Sequence, residues 1–183
     1  MNLQPILKSS VRILRPHEAK VIIEQGIPKF EHQLLFKALL YTGARYVEVQ
    51  RIKENPEWFD GDFIKLPSLK KKARQRERWI RLNPRGKEIV SSYINSNYTL
   101  PTKVTWRENL RRWAESCNLN PDGLCPKTTR KTWESWLTFY YGTRMEIPQS
   151  QGHTGGVAFQ HYLNLPFTES DKDGMKEFVT GWI

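Results

Sequence analysis

Residues 63–82 read FIKLPSLKKKARQRERWIRL, and the fold class turns on them. Phe63-Ile64-Lys65-Leu66 is short and rich in β-branched and aromatic residues, and Arg78-Trp79-Ile80-Arg81-Leu82 alternates charged and apolar side chains with the period of two that a strand requires. Just upstream, Trp58 and Phe59 precede a turn at Asp60-Gly61. The stretch predicts a small antiparallel sheet whose hairpin tip is strongly basic. On both sides the period changes to that of helices.

Working outward, Asn83 and Pro84 start a helix with Ile89, Val90 and Tyr93 on one face. Asn95 to Lys103 reads as loop, Val104 to Cys117 as a helix carrying Trp106, Leu110 and Trp113, and Asn118 to Pro126 as loop. Lys127 to Tyr141 follows, with Trp133, Trp136, Leu137 and Tyr140 at i, i+3, i+4 and i+7, stopped by Gly142. Ile147 to Gln151 and Val157 to Leu163 are short turns or helices, and Leu165 to Ile183 is a tail. Upstream, Pro16 to Gly26 predicts a short helix behind an extended lead-in of residues 1–15. Phe30 to Tyr41 predicts a helix crossing the core, Thr42-Gly43 a break, and Tyr46 to Ile52 a further helix. The expected class is α+β, mainly helical, in a single domain spanning residues 1–183.

Lys plus Arg number 29 and Asp plus Glu 19, a net charge of +10. With 38% hydrophobic residues the chain has the material for a core, so a folded object carries the excess. Ten of the basic residues fall between Lys65 and Lys87, where Glu77 is the one acid before Glu88. Such a run can be a solvated loop; presented by a hairpin it suits the phosphates of nucleic acid better than an anionic membrane surface. No window approaches the roughly 18 to 20 apolar residues of a membrane span, and Met1 to Lys20 has no signal-peptide core, so an intracellular protein is expected. Cys117 and Cys125 are too few and too far apart for a disulfide framework or a thiolate zinc site. No carboxylate cluster has two-metal spacing and no Gly-rich phosphate loop is present, which argues against a metal-dependent nuclease and an ATPase.

Four polar residues stand out beyond the basic run. Arg45 ends an apolar helix, an awkward place for a guanidinium unless it points at an anion. Arg130 lies in a helical first turn, where the helix N-terminus already favours a negative ligand. His153 follows Gly152, and Tyr162 comes nine residues later. Taken singly, each has an ordinary structural reading: a helix end, a surface arginine, a core histidine, a packed tyrosine.

Taken together, they follow a pattern. Thr42-Gly43-Ala44-Arg45-Tyr46-Val47-Glu48 resembles the T-G-x-R-x-x-E box of the tyrosine recombinases, the phage-type integrases and their relatives. Lys127-Thr128-Thr129-Arg130-Lys131-Thr132 resembles their H/K-x-x-R-H/K-T box, and Gly152-His153 with Tyr162 resembles their L-G-H … Y ending, 23 residues separating Arg130 from His153. The match spans about residues 30 to 165. Gln151 stands where leucine is usual, Ala158 where threonine is frequent, and Lys127 where histidine is commoner.

The resemblance implies a catalytic set of Arg45, Lys72, Lys127, Arg130, His153 and Tyr162, with Lys70 and Lys71 as alternatives to Lys72 for the hairpin lysine. It implies site-specific recombination or integration of double-stranded DNA through a covalent 3′-phosphotyrosine, with self-association as a tetramer on DNA and no metal or other cofactor. Arg45, Arg130 and His153 would steady the transition state's non-bridging oxygens, and Lys72 would protonate the departing 5′ oxygen. Tyr162, with an ordinary pKa of about 10, would need surrounding positive charge to favour phenolate. Lys70, Lys71, Arg74, Arg76 and Arg78 are expected to contact DNA. The tail at 165–183 is a candidate for exchange between protomers. The clamping domain that usually precedes the first box is expected to be absent, as in an isolated catalytic domain, a naturally truncated product or a minimal integrase of the archaeal-virus or plasmid kind. Two other functions remain open: a type IB topoisomerase-like nicking and resealing enzyme, and an inactive DNA-binding accessory protein.

Overall fold

The computed structural model describes residues 4–68, 77–153, 159, 160 and 162–183. Lys70, Lys71, Lys72, Arg74 and Arg76, and with them the hairpin-lysine assignment, lie outside the described residues, as does Ala158.

The lead-in is more than an extended segment. Strands β1 (Ile6–Lys8) and β2 (Val11–Ile13) pair antiparallel, Ile6 opposite Ile13, around Ser9 and Ser10, which both have positive φ (48° and 61°). Helix α1 (Pro16–Val21) runs into a wider turn at Ile22–Gly26. Helices α2 (Phe30–Thr42) and α3 (Tyr46–Glu54) follow, and a short 3-10 turn at Pro56–Trp58 leads into β3 (Phe63–Pro67). Strand β4 (Glu77–Arg81) pairs antiparallel with β3, setting Ile64 opposite Ile80 and Lys65 opposite Trp79. Then come α4 (Pro84–Ile94), α5 (Lys103–Ser116), α6 (Thr128–Tyr141), α7 (Glu146–Gln151) and α8 (Glu169–Val179). The mainly helical α+β class expected from the sequence is the one observed, and no described helix is long and apolar enough to cross a membrane.

Helix α6 is the central element. It packs against α2, β2 and α8, and from Thr128 to Thr138 only Lys131 escapes full burial. Its tryptophans supply large apolar area, and Trp136 also donates its indole N–H to the Leu14 carbonyl at 2.9 Å. Thr132 accepts from the Leu14 backbone N–H at 3.0 Å, so one helix face satisfies the backbone just past β2. The tail, too, is structured. Thr168 caps α8 reciprocally with Asp171, and Met175, Phe178 and Val179 recur at i, i+3 and i+4 and bury against the chain's own core. Arg15 reaches across to Asp171 in a buried ion pair, and Trp182 donates to the Arg81 carbonyl at 3.0 Å. The tail thereby ties the N-terminal segment to the basic hairpin.

Candidate active site

Two glycine turns position the site. Helix α2 ends at Gly43, whose φ of 59° suits glycine, and a Cβ there would collide with the Gln151 side-chain amide. The turn frees the Gly43 carbonyl, which accepts from Arg130 Nη1 at 2.8 Å. Gly152 ends α7 with a φ of 71°, and a Cβ there would stand 2.9 Å from Arg78 Cδ. These turns bring the ends of α2 and α7 against the first turn of α6.

Arg130 is 6% exposed, with its guanidinium spread over the Gly43 carbonyl, the Gln151 carbonyl and His153 Nε2, the last at 3.3 Å. Burial, then the charges of Arg78 and Arg45, lower its pKa to about 10, which leaves it cationic at neutral pH. Gln151, the departure from the usual leucine, is fully buried; its backbone carbonyl receives Arg130 and its amide reaches the Thr42 carbonyl at 3.5 Å. The residue that breaks the motif therefore braces its first two boxes.

Arg45 occupies the N-cap of α3. Its backbone N–H donates to Glu48 Oε2 at 2.7 Å and its half-exposed guanidinium to Oε1 at 2.8 Å. Arg78, expected among the cations facing DNA, is buried, and its two terminal nitrogens donate in a fork to the same carboxylate at 2.8 Å each. The reason is its register: Arg78 shares the inward phase of β4 with Ile80. Burial alone would raise the Glu48 pKa, but Arg78 first and Arg45 second bring it down to about 2. Glu48 thus holds Arg45 at the rim and leaves its outer face open.

A cleft of about 500 Å3 is lined by Arg45, Lys127, Arg130, His153 and Tyr162, together with Lys103, Arg107 and Glu134. Every expected catalytic residue that lies among the described residues is on its wall. Tyr162 is mostly buried, beside Ile6 and Ile13, and donates its hydroxyl to Glu134 Oε2 at 3.1 Å. Burial first, then Glu134, push its pKa up, and Arg130 opposes them. The positive surroundings expected to favour phenolate are outweighed: the phenol rests in its neutral form.

Sequence reasoning passed over three of these lining residues. Lys103 and Arg107, one turn apart on α5, lie outside the dense basic run. Glu134 stands one turn beyond Arg130 on α6, and that spacing was its one signal.

No protein-family model matches this chain, and no curated protein does. Solved structures do. The crystal structure of XerA recombinase matches with a TM-score of 0.62 at 18% identity, over 90% of this chain and 64% of that one. The crystal structure of XerH site-specific recombinase bound to palindromic difH substrate, a post-cleavage complex, matches with a TM-score of 0.59 at 16% identity, over 96% of this chain and 54% of that one. The chain thus spans less than two thirds of either protein. At such identities the likeness is one of fold, that of the tyrosine-recombinase catalytic domain.

Proposed function

We propose that a chain with this fold and this cleft cuts and rejoins double-stranded DNA through a covalent 3′-phosphotyrosine at Tyr162, in site-specific recombination or integration. The observation that carries the reading is the convergence of Arg45, Lys127, Arg130, His153 and Tyr162 on one cleft from four separate stretches of sequence. The XerH protein of similar fold was captured with DNA after cleavage, which supports DNA as the partner here.

The scissile phosphodiester enters between Arg45 and Arg130. Arg130, already oriented by two backbone carbonyls, meets the non-bridging oxygens with little reorganisation, and Arg45 turns its exposed face to them. Tyr162 Oη attacks phosphorus, the bond to the 5′ oxygen breaks, and that oxygen takes a proton from a hairpin lysine, for which Lys72 is the choice with Lys70 and Lys71 as alternatives. Lys127, which lines the same cleft, is assigned to orient or exchange a proton with the nucleophile side. The ester energy stays in the phosphotyrosine, so rejoining to a different 5′ end requires no nucleotide or metal. Lys70, Lys71, Arg74 and Arg76 contact the DNA backbone, Arg78 supports the site through Glu48, and the active assembly is a tetramer on DNA.

The test is a pool of nicked duplexes of randomised sequence whose cleaved end is lost by dissociation. Wild type should leave a denaturant-resistant protein–DNA adduct, and Tyr162→Phe should leave none. No adduct from wild type would contradict the proposal. Relaxation of supercoils without exchange between two captured sites would redirect it to a topoisomerase.

A further inference from the structure

Glu134 is the one acid in a helix whose other buried positions hold tryptophan, serine, threonine, Leu137 and Arg130. It is 1% exposed, and burying a charge of this kind is costly unless its neighbours compensate. What it touches is the chemistry of the cleft: Oε2 accepts from Tyr162 Oη at 3.1 Å, and Oε1 lies 3.3 Å from His153 Nε2. The distance from Oε2 to the phenol is within the reach expected of a general base. Arg130, one turn back on α6, interacts with the carboxylate directly by its charge, and its Nη2 is 3.3 Å from the same His153 Nε2.

We infer that Glu134 is the proton acceptor for Tyr162 during strand cleavage and the donor that returns the proton during rejoining, an inference that rests on the function proposed above. As Oη forms its bond to phosphorus, its O–H proton passes to Glu134 Oε2. The bond from phosphorus to the 5′ oxygen breaks, and that oxygen is protonated by the separate hairpin acid. In the reverse step the attacking 5′ hydroxyl gives its proton back to that acid, and the departing phenol oxygen recovers one from Glu134. Each step moves one proton on each side and needs no oxidant, reductant or metal.

The resting geometry also gives Glu134 a reason to be an acid rather than an amide. A neutral phenol buried beside an anion is a poor nucleophile, and the same anion becomes useful at the moment the proton must leave. His153 Nε2 lies 3.3 Å from both Arg130 Nη2 and Glu134 Oε1, so the acceptor, the histidine and the arginine that meets the phosphate are immediate neighbours in the cleft. Among the described residues, the charged and titratable groups that act on the carboxylate are Arg130 and Lys131 on α6, His153 after α7, and Tyr162 itself.

Single-turnover cleavage of the nicked pool by wild type, Glu134→Gln and Glu134→Asp tests this, with thermal melting and DNA binding measured on each variant. Glu134→Gln should bind DNA like wild type and form adduct on the order of 10² to 10⁴ times more slowly at neutral pH, with its rate climbing as pH rises towards the phenol's own ionisation, while Glu134→Asp regains part of the rate. A wild-type rate and pH profile in Glu134→Gln would overturn the inference and leave the proposed function standing. An ascending acidic limb that survives in Glu134→Gln belongs to His153 and would overturn it equally. Should Glu134→Gln not fold, wild type on a substrate with a 5′-bridging sulfur decides, since that leaving group needs no acid. A rate already level by about pH 6, below the ordinary imidazole range, supports the carboxylate base, and one still rising through neutrality overturns it. Wild type that forms no adduct on either substrate defeats the proposed function, and this inference with it.

Discussion

At the residue scale, Glu48 carries the most structural consequence, because two arginines from different elements end on one buried carboxylate. Its folded-state pKa of about 2 lies below the ordinary 4.5, so its contribution is full above about pH 4.5 and fades as pH falls towards 2. Two and a half pKa units correspond to on the order of 3 kcal/mol. Acid titration of the unfolding free energy should show that loss between pH 4.5 and 2, and Glu48→Gln should flatten it. Arg78→Ala should cost about 3–5 kcal/mol by leaving the carboxylate buried beside a single rim arginine, a loss measurable by urea denaturation. Glu48 was legible in the sequence as the closing letter of its box. Its partner was not, because counting charges merged Arg78 into the basic run, whereas the alternation of β4 sets it beside Ile80 on the inner face. Glu134 left only its one-turn step from Arg130 as a trace, since one acid among aromatic residues makes no motif.

At the scale of elements, the helices with a strong apolar period were readable to within a residue or two. Phe30–Thr42 and Thr128–Tyr141 both carry large side chains every third and fourth position, and burial of that face is what stabilises them. Elements held by long-range polar contacts were harder to read. The β1–β2 hairpin has three-residue strands and turns on Ser9-Ser10, without the Asn-Gly or Asp-Gly signal that marks such turns. Helix α8 reads as a charged tail until Asp171 is seen to serve both as the capping partner of Thr168 and as the buried partner of Arg15. Asp171→Ala should therefore cost more than an ordinary cap, about 3–5 kcal/mol, because Arg15 is left buried and unpaired. Trp182→Ala should cost a similar ~3–5 kcal/mol through reduced burial and the broken bond to Arg81. Both are read from the midpoint of chemical unfolding.

For the whole molecule, most of the net charge of +10 falls between Lys65 and Lys87, where ten basic residues face one acid. The basic run was visible from composition, but Lys103 and Arg107 come to the cleft wall only through the fold, which turns one face of α5 towards it. If duplex DNA follows that wall, binding should weaken linearly in a plot of log affinity against log salt. Arg107→Ala should lower the slope by about 0.9 for each phosphate that Arg107 neutralises, nearly equally for different sequences. An unchanged slope would place the duplex elsewhere. The central claim, that the cleft exists to bring Tyr162 to a DNA phosphate, has a more direct test. Protease digestion of the trapped adduct followed by mass spectrometry locates the covalent bond. A 3′-phosphonucleotide on the peptide containing Tyr162 is the predicted result, and a nucleotide on Tyr140, Tyr141 or any other residue would contradict it.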